Sequence, residues 1–318
     1  MIIYKMDILI ICVSPNALTS PDNSLINNLS TIYAYHFNIF LKQYKGNTIT
    51  FKDYYMTVDD ANTLNKYDFC IITMNRGVVN MNKDVYKILR DKIKYHIITI
   101  CEYSNIIGEE DLLIFMMGKQ KSKTMRLYWG ANNMILKPSK SNDVINILVD
   151  HQYYGKTNSP IFELDKTSLL LNSLLEYQKK NKKIIIEHIT NGKVQLVTDN
   201  YKIETFRRSD SLDFREIYKY YNKIHIFVVT HPESMGLSTI ECGCSGTLIV
   251  FPERYIRKEI SEKLHHYEIK NLDSIDWDSI INTINIPKSV EMAQVFSYKN
   301  TINALQNYMV KVKTSPNI

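Results

Sequence analysis

Residues 226–251 read IFVVTHPESMGLSTIECGCSGTLIVF, from Ile226 to Phe251. The run opens on Ile226–Val229 and closes on Leu248–Phe251, two short stretches that are apolar throughout. Such stretches suit strands buried on both faces of a parallel sheet. Between them lies a polar turn ending at Gly236, and then Ser238–Cys244, long enough for about two turns of helix. Strand, turn, helix, strand is a βαβ pattern, and it points to the α/β class. Gly236 lets the backbone approach a ligand closely. The amides near Gly236, Leu237 and Ser238 stand at a helix N-terminus, where an anion such as a diphosphate is favoured. Glu233 precedes the turn and Glu241 lies one turn inside the helix. Two carboxylates flanking such a turn can accept hydroxyl hydrogen bonds, as a sugar and a ribose would offer.

The same alternation runs outward along the chain. Asp7–Ser14, Thr48–Phe51, Asp68–Met74 and His96–Glu102 read as strands, and Ser24–Tyr44, Val58–Lys66 and Lys83–Lys94 as helices between them. Leu112–Met117 and Met125–Leu136 add less regular strands. A polar, turn-rich stretch at Pro138–Asn142 then interrupts the pattern. Beyond it Val144–Val149, Lys183–Ile189 and Val194–Thr198 read as strands, and Phe162–Lys180 and Ser211–Tyr221 as helices. Tyr255–His266, Trp277–Ile284 and Val290–Val312 read as helical. The expected organisation is a Rossmann-like domain over residues 1–140, a second over 141–289 and a closing helical segment over 290–318. Ligands of such sheets bind beyond the carboxyl ends of the strands, so two facing domains would place the site in a central cleft.

Composition excludes more than it selects. The chain has 318 residues, enough for two domains with cores of their own. The net charge of 39 − 33 = +6 suits an anionic small molecule, an anionic membrane surface or nucleic acid, and chooses among none of them. Five cysteines, an odd number with no CxxC, fit a reducing, cytoplasmic setting. No apolar run reaches the ~18 residues of a membrane span. Lys5 and the apolar Ile8–Val13 read as a buried first strand in preference to a signal peptide, since Asp7 interrupts the run. There is no phosphate loop of the Walker type and no GxSxG elbow. Cys242, Cys244 and His231 lack the spacing and the fourth ligand of a metal site. His36 reads as a packing or surface histidine, and His265-His266 as a solvated pair in a charged helix.

The Glu233–Leu248 run resembles the donor-site signature of retaining GT-B glycosyltransferases of family 4, whose usual pattern is E-G-F-G-L-P-x-x-E-A-x-A-x-G-T-P-V. Glu233, Gly236, Leu237, Glu241, Gly246 and Thr247 match it. Ser234, Met235, Ser238, Cys242, Cys244 and Leu248 depart from it. The resemblance implies that Glu233 contacts the donor sugar, that the amides at Gly236 and Leu237, next to Ser238, hold the diphosphate, and that Glu241 binds ribose hydroxyls. The family also carries an Arg and, five residues on, a Lys after the first strand of the second domain. Here His151 and Lys156 keep that spacing, with His in place of Arg. Lys156 is the candidate diphosphate cation, while a neutral imidazole at 151 supplies less charge than guanidinium. Arg207 is a candidate substitute for it.

The resemblance covers roughly residues 142–253. It implies an acceptor domain followed by a nucleotide-sugar donor domain, in the two-domain GT-B arrangement. The first domain matches in architecture alone and has Ser14-Pro-Asn where the family often has a glycine-rich loop. Asn75-Arg76-Gly77 and Glu102-Tyr103 follow expected strands and would face the cleft. The implied activity is transfer of a sugar from a nucleotide-diphosphate sugar to an acceptor hydroxyl, with retention. The nucleotide sugar is the donor substrate; no cofactor or metal is called for, since no DxD lies near the site. The acceptor, whether glycan, lipid, protein or modified nucleic acid, is open. The alternatives are a sugar-nucleotide epimerase or hydrolase on the same scaffold, and a non-catalytic sugar-nucleotide-binding protein, the latter suggested by His151.

Overall fold

The computed structural model describes residues 5–19, 29–73, 81–100, 112–115, 124–126, 131–132, 134–149, 164–190, 193–196, 213–232 and 236–314. They fall into two compact units, residues 1–129 with 298–318, and residues 130–297.

The first unit is built on a sheet of six parallel strands: β1 (Asp7–Cys12), β2 (Thr48–Asp53), β3 (Phe69–Ile72), β4 (Tyr95–Ile100), β5 (Leu112–Phe115) and β6 (Thr124–Arg126). Their spatial order is β2-β1-β3-β4-β5-β6. Ile8–Cys12 and Phe69–Ile72 are fully buried, which is why these strands carry unbroken apolar runs in place of alternation. The Leu29–Leu41 and Lys83–Lys92 helices follow β1 and β3 in the chain. The C-terminal helix, Tyr298–Thr314, belongs to this unit. It buries Tyr298, Ile302, Leu305 and Met309, a stripe at helical spacing. Tyr298 stacks on His36 of the Leu29–Leu41 helix at 3.8 Å with rings 3° from parallel. The Tyr44 hydroxyl donates to Asn303 Oδ1 (2.5 Å) and Lys313 pairs with Asp68 (2.7 Å).

The second unit holds β7 (Ile145–Val149), β8 (Ile184–Thr190), β9 (Lys193–Leu196), β10 (Ile226–Val228), β11 (Leu248–Pro252) and β12 (His266–Ile269). The spatial order is β12-β11-β10-β7-β8-β9, parallel except for the β8–β9 hairpin. Read from β9, the strand order is the 3-2-1-4-5-6 of dinucleotide-binding sheets, with β9 antiparallel, and the order reverses at β7 and β10. The polar stretch expected to separate two domains is packed into this unit. Asn222 accepts from the Lys137 amide (2.8 Å) and donates to the Ile135 carbonyl (2.9 Å). His225 Nδ1 accepts from the Asn146 amide (3.0 Å) while Nε2 donates to the Ser141 carbonyl (2.8 Å).

Two helical expectations are corrected. Tyr255–His266 holds a single helical turn, Lys258–Ser261, and His266 opens β12. The HYEI strand is four residues long and stands at a sheet edge, so it lacks the apolar run that marks the central strands. Val290–Val312 is interrupted: the Ile286–Ala293 helix ends in a 3₁₀ turn at Gln294–Phe296, and Ser297 is extended and bridges Ala131 before the last helix begins.

Candidate active site

β7 and β10 are neighbours, with Ile147, Leu148 and Val149 in register with Ile226, Phe227 and Val228. Both strands run the same way, so their carboxyl ends, at Val149 and Val228, lie at the same end of the sheet. The Thr167 hydroxyl, near the start of the Leu164–Lys180 helix, donates to the Thr230 carbonyl at 2.8 Å. The helix that follows β7 therefore begins beside the loop that follows β10. This reversal point, beyond the carboxyl ends of the strands, is where open α/β sheets bind ligands.

Gly236 is the N-cap of the Leu237–Cys244 helix and adopts φ 63°, ψ 79°, the left-handed region that favours glycine. It offers no side-chain cap to the first amides of the helix. The first amides of a helix lie outside its own hydrogen-bond ladder and, with the helix dipole, favour an anion. Ser238 is buried in the first turn and Leu237 half-buried. Glu241 sits one turn deeper and is 7% exposed. Glu241 Oε1 accepts a hydrogen bond from the Tyr218 hydroxyl at 2.8 Å. Tyr218 comes from the Phe214–Tyr221 helix, whose N-cap Asp213 makes a double contact with Arg215 (2.6 and 2.7 Å).

The structure thus brings Gly236, Leu237, Ser238 and Glu241 to one helix start. Glu233, Lys156, His151 and Arg207 lie outside the described residues, as do Asn75-Arg76-Gly77 and Glu102-Tyr103. Tyr218 is the partner that sequence reasoning missed, because a contact between helices leaves no spacing signal in the chain.

Gly246 matches the same motif but stands at the other end of the helix, with φ +84°. A Cβ there would come within 2.8 Å of Ile286 and 2.9 Å of Pro138. Its role is close packing. Near it, Lys140 donates to the Ile224 carbonyl and to Thr247 Oγ1, and burial pulls its pKa down to about 7. These groups gather at the amino ends of β10 and β11, away from the helix start.

Cys242 and Cys244 are buried, and burial raises the Cys244 thiol, disfavouring the thiolate a metal would need. Among the described residues no group of three or more His, Cys, Asp and Glu could hold a metal ion. His265 is not solvated: it is buried and shares a hydrogen bond with Ser289 Oγ (2.9 Å). His36 is a packing residue, fully buried against Tyr298. In the first unit Ser14, at the position where a glycine was missed, takes φ 51°, and its amide donates to Asp53 at 3.1 Å. Among the described residues no helix is long and apolar enough to cross a membrane.

No protein-family model and no curated protein matches the chain. Solved structures do. Sucrose-phosphate synthase from Thermosynechococcus elongatus superposes with a TM-score of 0.56 at 10% identity, over 98% of this chain and 100% of that one. A protein from Listeria monocytogenes assigned as a UDP-N-acetylglucosamine 2-epimerase gives 0.55 at 10% identity, over 99% and 98%. AviGT4, a glycosyltransferase involved in avilamycin A biosynthesis, gives 0.50 at 6% identity, over 96% and 97%. At such identities the likeness is one of fold: an α/β chain with two Rossmann-like units of the GT-B type.

Proposed function

We propose that the chain is a glycosyltransferase that moves a sugar from a nucleotide-diphosphate donor to an acceptor hydroxyl, with retention at the anomeric carbon. One observation carries the reading: a helix that starts at a left-handed Gly236, at the reversal point of a 3-2-1-4-5-6 strand order, with a buried carboxylate one turn below it. A helix N-terminus suits a diphosphate, and a carboxylate beside it suits ribose hydroxyls. In this reading Glu233 orients the sugar and Lys156, with His151 and Arg207 nearby in role, balances the departing diphosphate. Leu237 and Ser238 supply amides to the same phosphates. Rate enhancement comes from positioning and from stabilising the leaving-group charge, with no covalent intermediate required of the protein. The acceptor is a glycan, lipid, protein or modified nucleic acid, and the setting is cytoplasmic; the net positive charge is compatible with peripheral contact to an anionic membrane surface.

A screen of UDP, GDP, ADP and their sugars by thermal shift tests this directly. A ligand that binds the folded state alone raises its apparent stability. One nucleotide is expected to stabilise the protein, and Glu233→Ala and Glu241→Ala are each expected to remove sugar transfer. Absence of binding and turnover across the panel would overturn the reading.

A second reading is favoured by the epimerase-assigned neighbour, whose fold likeness equals that of the synthase to within 0.01 in TM-score. A sugar-nucleotide epimerase or hydrolase would use the same helix start. Incubation with donor alone separates the two, since it would yield an epimer or free sugar without any acceptor.

A further inference from the structure

Tyr218 has no role in the motif that identifies the site, yet it is buried, 1% exposed, and its hydroxyl reaches Glu241 at 2.8 Å. Its ring is fixed from both sides along its own helix. Phe214 meets it edge-on at 5.2 Å, and Tyr221 lies 6.4 Å away with rings 30° apart. A phenol held this way has little rotamer freedom left to lose, so the position of its hydroxyl oxygen is set by packing before any ligand arrives. Glu241, by contrast, is a long side chain with three torsions at the second turn of a short helix. As a carboxylate it has about four acceptor sites on two oxygens. One bond from a rigid donor selects its rotamer and leaves acceptor capacity for other hydroxyls.

We propose that Tyr218 is a positioning residue for a ribonucleotide: its hydroxyl sets the Glu241 carboxylate in the orientation that accepts the ribose hydroxyls. The inference rests on the donor-site reading above and adds to it a residue outside the motif and a preference for ribose over 2′-deoxyribose. The preference follows from chemistry, because a 2′-deoxy sugar removes one of the hydroxyls that the oriented carboxylate accepts.

The test measures the affinity of the full chain for UDP, GDP and ADP and for their 2′-deoxy counterparts, in wild type, Tyr218→Phe, Glu241→Gln and the double variant. Wild type is expected to prefer the ribonucleotide about tenfold, the range of one or two hydrogen bonds. Tyr218→Phe keeps the ring and its packing, and is expected to cut that preference about threefold while leaving the deoxynucleotide affinity nearly unchanged. In the Glu241→Gln background it is expected to change the preference no further. Equal weakening toward both sugars would reveal a purely structural tyrosine and overturn the inference, as would an unchanged preference. If Glu241→Gln abolishes the preference and Tyr218→Phe leaves it unchanged, the donor-site reading stands and this inference alone falls. If wild type binds none of the nucleotides, the donor-site reading itself fails.

Discussion

Val149, the last residue of β7, is in parallel register with Val228, the last residue of β10. The pairing has a chemical consequence, because the segments that follow carry the candidate cation Lys156 and the candidate carboxylate Glu233. Two loops leaving adjacent parallel strands at one edge can serve one ligand. If they do, Lys156→Ala should lower kcat about 100-fold or more, the scale seen when one stabilising group for a developing charge is removed. The variant should melt at the wild-type temperature. Steady-state kinetics with a nucleotide sugar, paired with a melting curve, checks both halves of the expectation.

If His151 faces the diphosphate as proposed, it carries a prediction of opposite sign. Imidazole is largely neutral near pH 7, while guanidinium is always charged and offers a planar fork to phosphate oxygens. His151→Arg should therefore tighten nucleoside diphosphate binding about three- to tenfold, with the gain shrinking as salt rises. Calorimetric titration at two ionic strengths reads this out. An affinity that does not move would place residue 151 away from the phosphates.

The two motif glycines should separate cleanly. Gly246→Ala puts a Cβ 2.8 Å from Ile286 and 2.9 Å from Pro138 at φ +84°, and should destabilise the protein by about 2–4 kcal/mol. The fraction that remains folded should bind nucleotide as wild type does. Gly236→Ala, at φ 63°, should cost about 1–2 kcal/mol of stability and weaken nucleotide binding as well. Urea unfolding and nucleotide titration on both variants distinguish the packing glycine from the one proposed to face the ligand.

Much of this architecture is legible in the residues. β10 and β11 announce themselves because central parallel strands must be apolar on both faces, and Gly236 because a left-handed helix cap favours glycine. Helix limits come within a few residues where caps are present, as at Asn82 before Lys83–Lys92 and Asp213 before Phe214–Tyr221. What escapes the sequence depends on tertiary context. β12 is a four-residue edge strand with a charged residue in its middle. The Tyr218–Glu241 bond joins residues 23 apart on separate helices, and no periodicity marks it. His265 reads as solvated among charged neighbours, but it is buried and meets Ser289 of the Ile286–Ala293 helix, a tertiary contact that the chain does not announce.

His36 ties the first unit's stability to pH. It is fully buried between its own helix and Tyr298, and burial holds its pKa near 3, against 6.5 for a free imidazole; the Ile32 carbonyl, accepting from Nδ1 at 2.7 Å, opposes the shift only in part. The folded state thus resists a proton that the unfolded chain takes up readily. Above about pH 6.5 the imidazole is neutral in both states and costs nothing. As pH falls from 6.5 toward 3 the unfolded state gains the proton and the folded state does not, so stability is lost across that window, on the order of 5 kcal/mol in full. Below about pH 3 the loss levels off. His36→Phe keeps a ring stacked on Tyr298 and removes the titrating group. It should lower stability modestly at pH 7.5, where the Ile32 hydrogen bond is forfeited, and flatten the decline between pH 6.5 and 4. Urea unfolding at half-unit pH steps measures the slope, and parallel curves for variant and wild type would show that another group governs the acid loss.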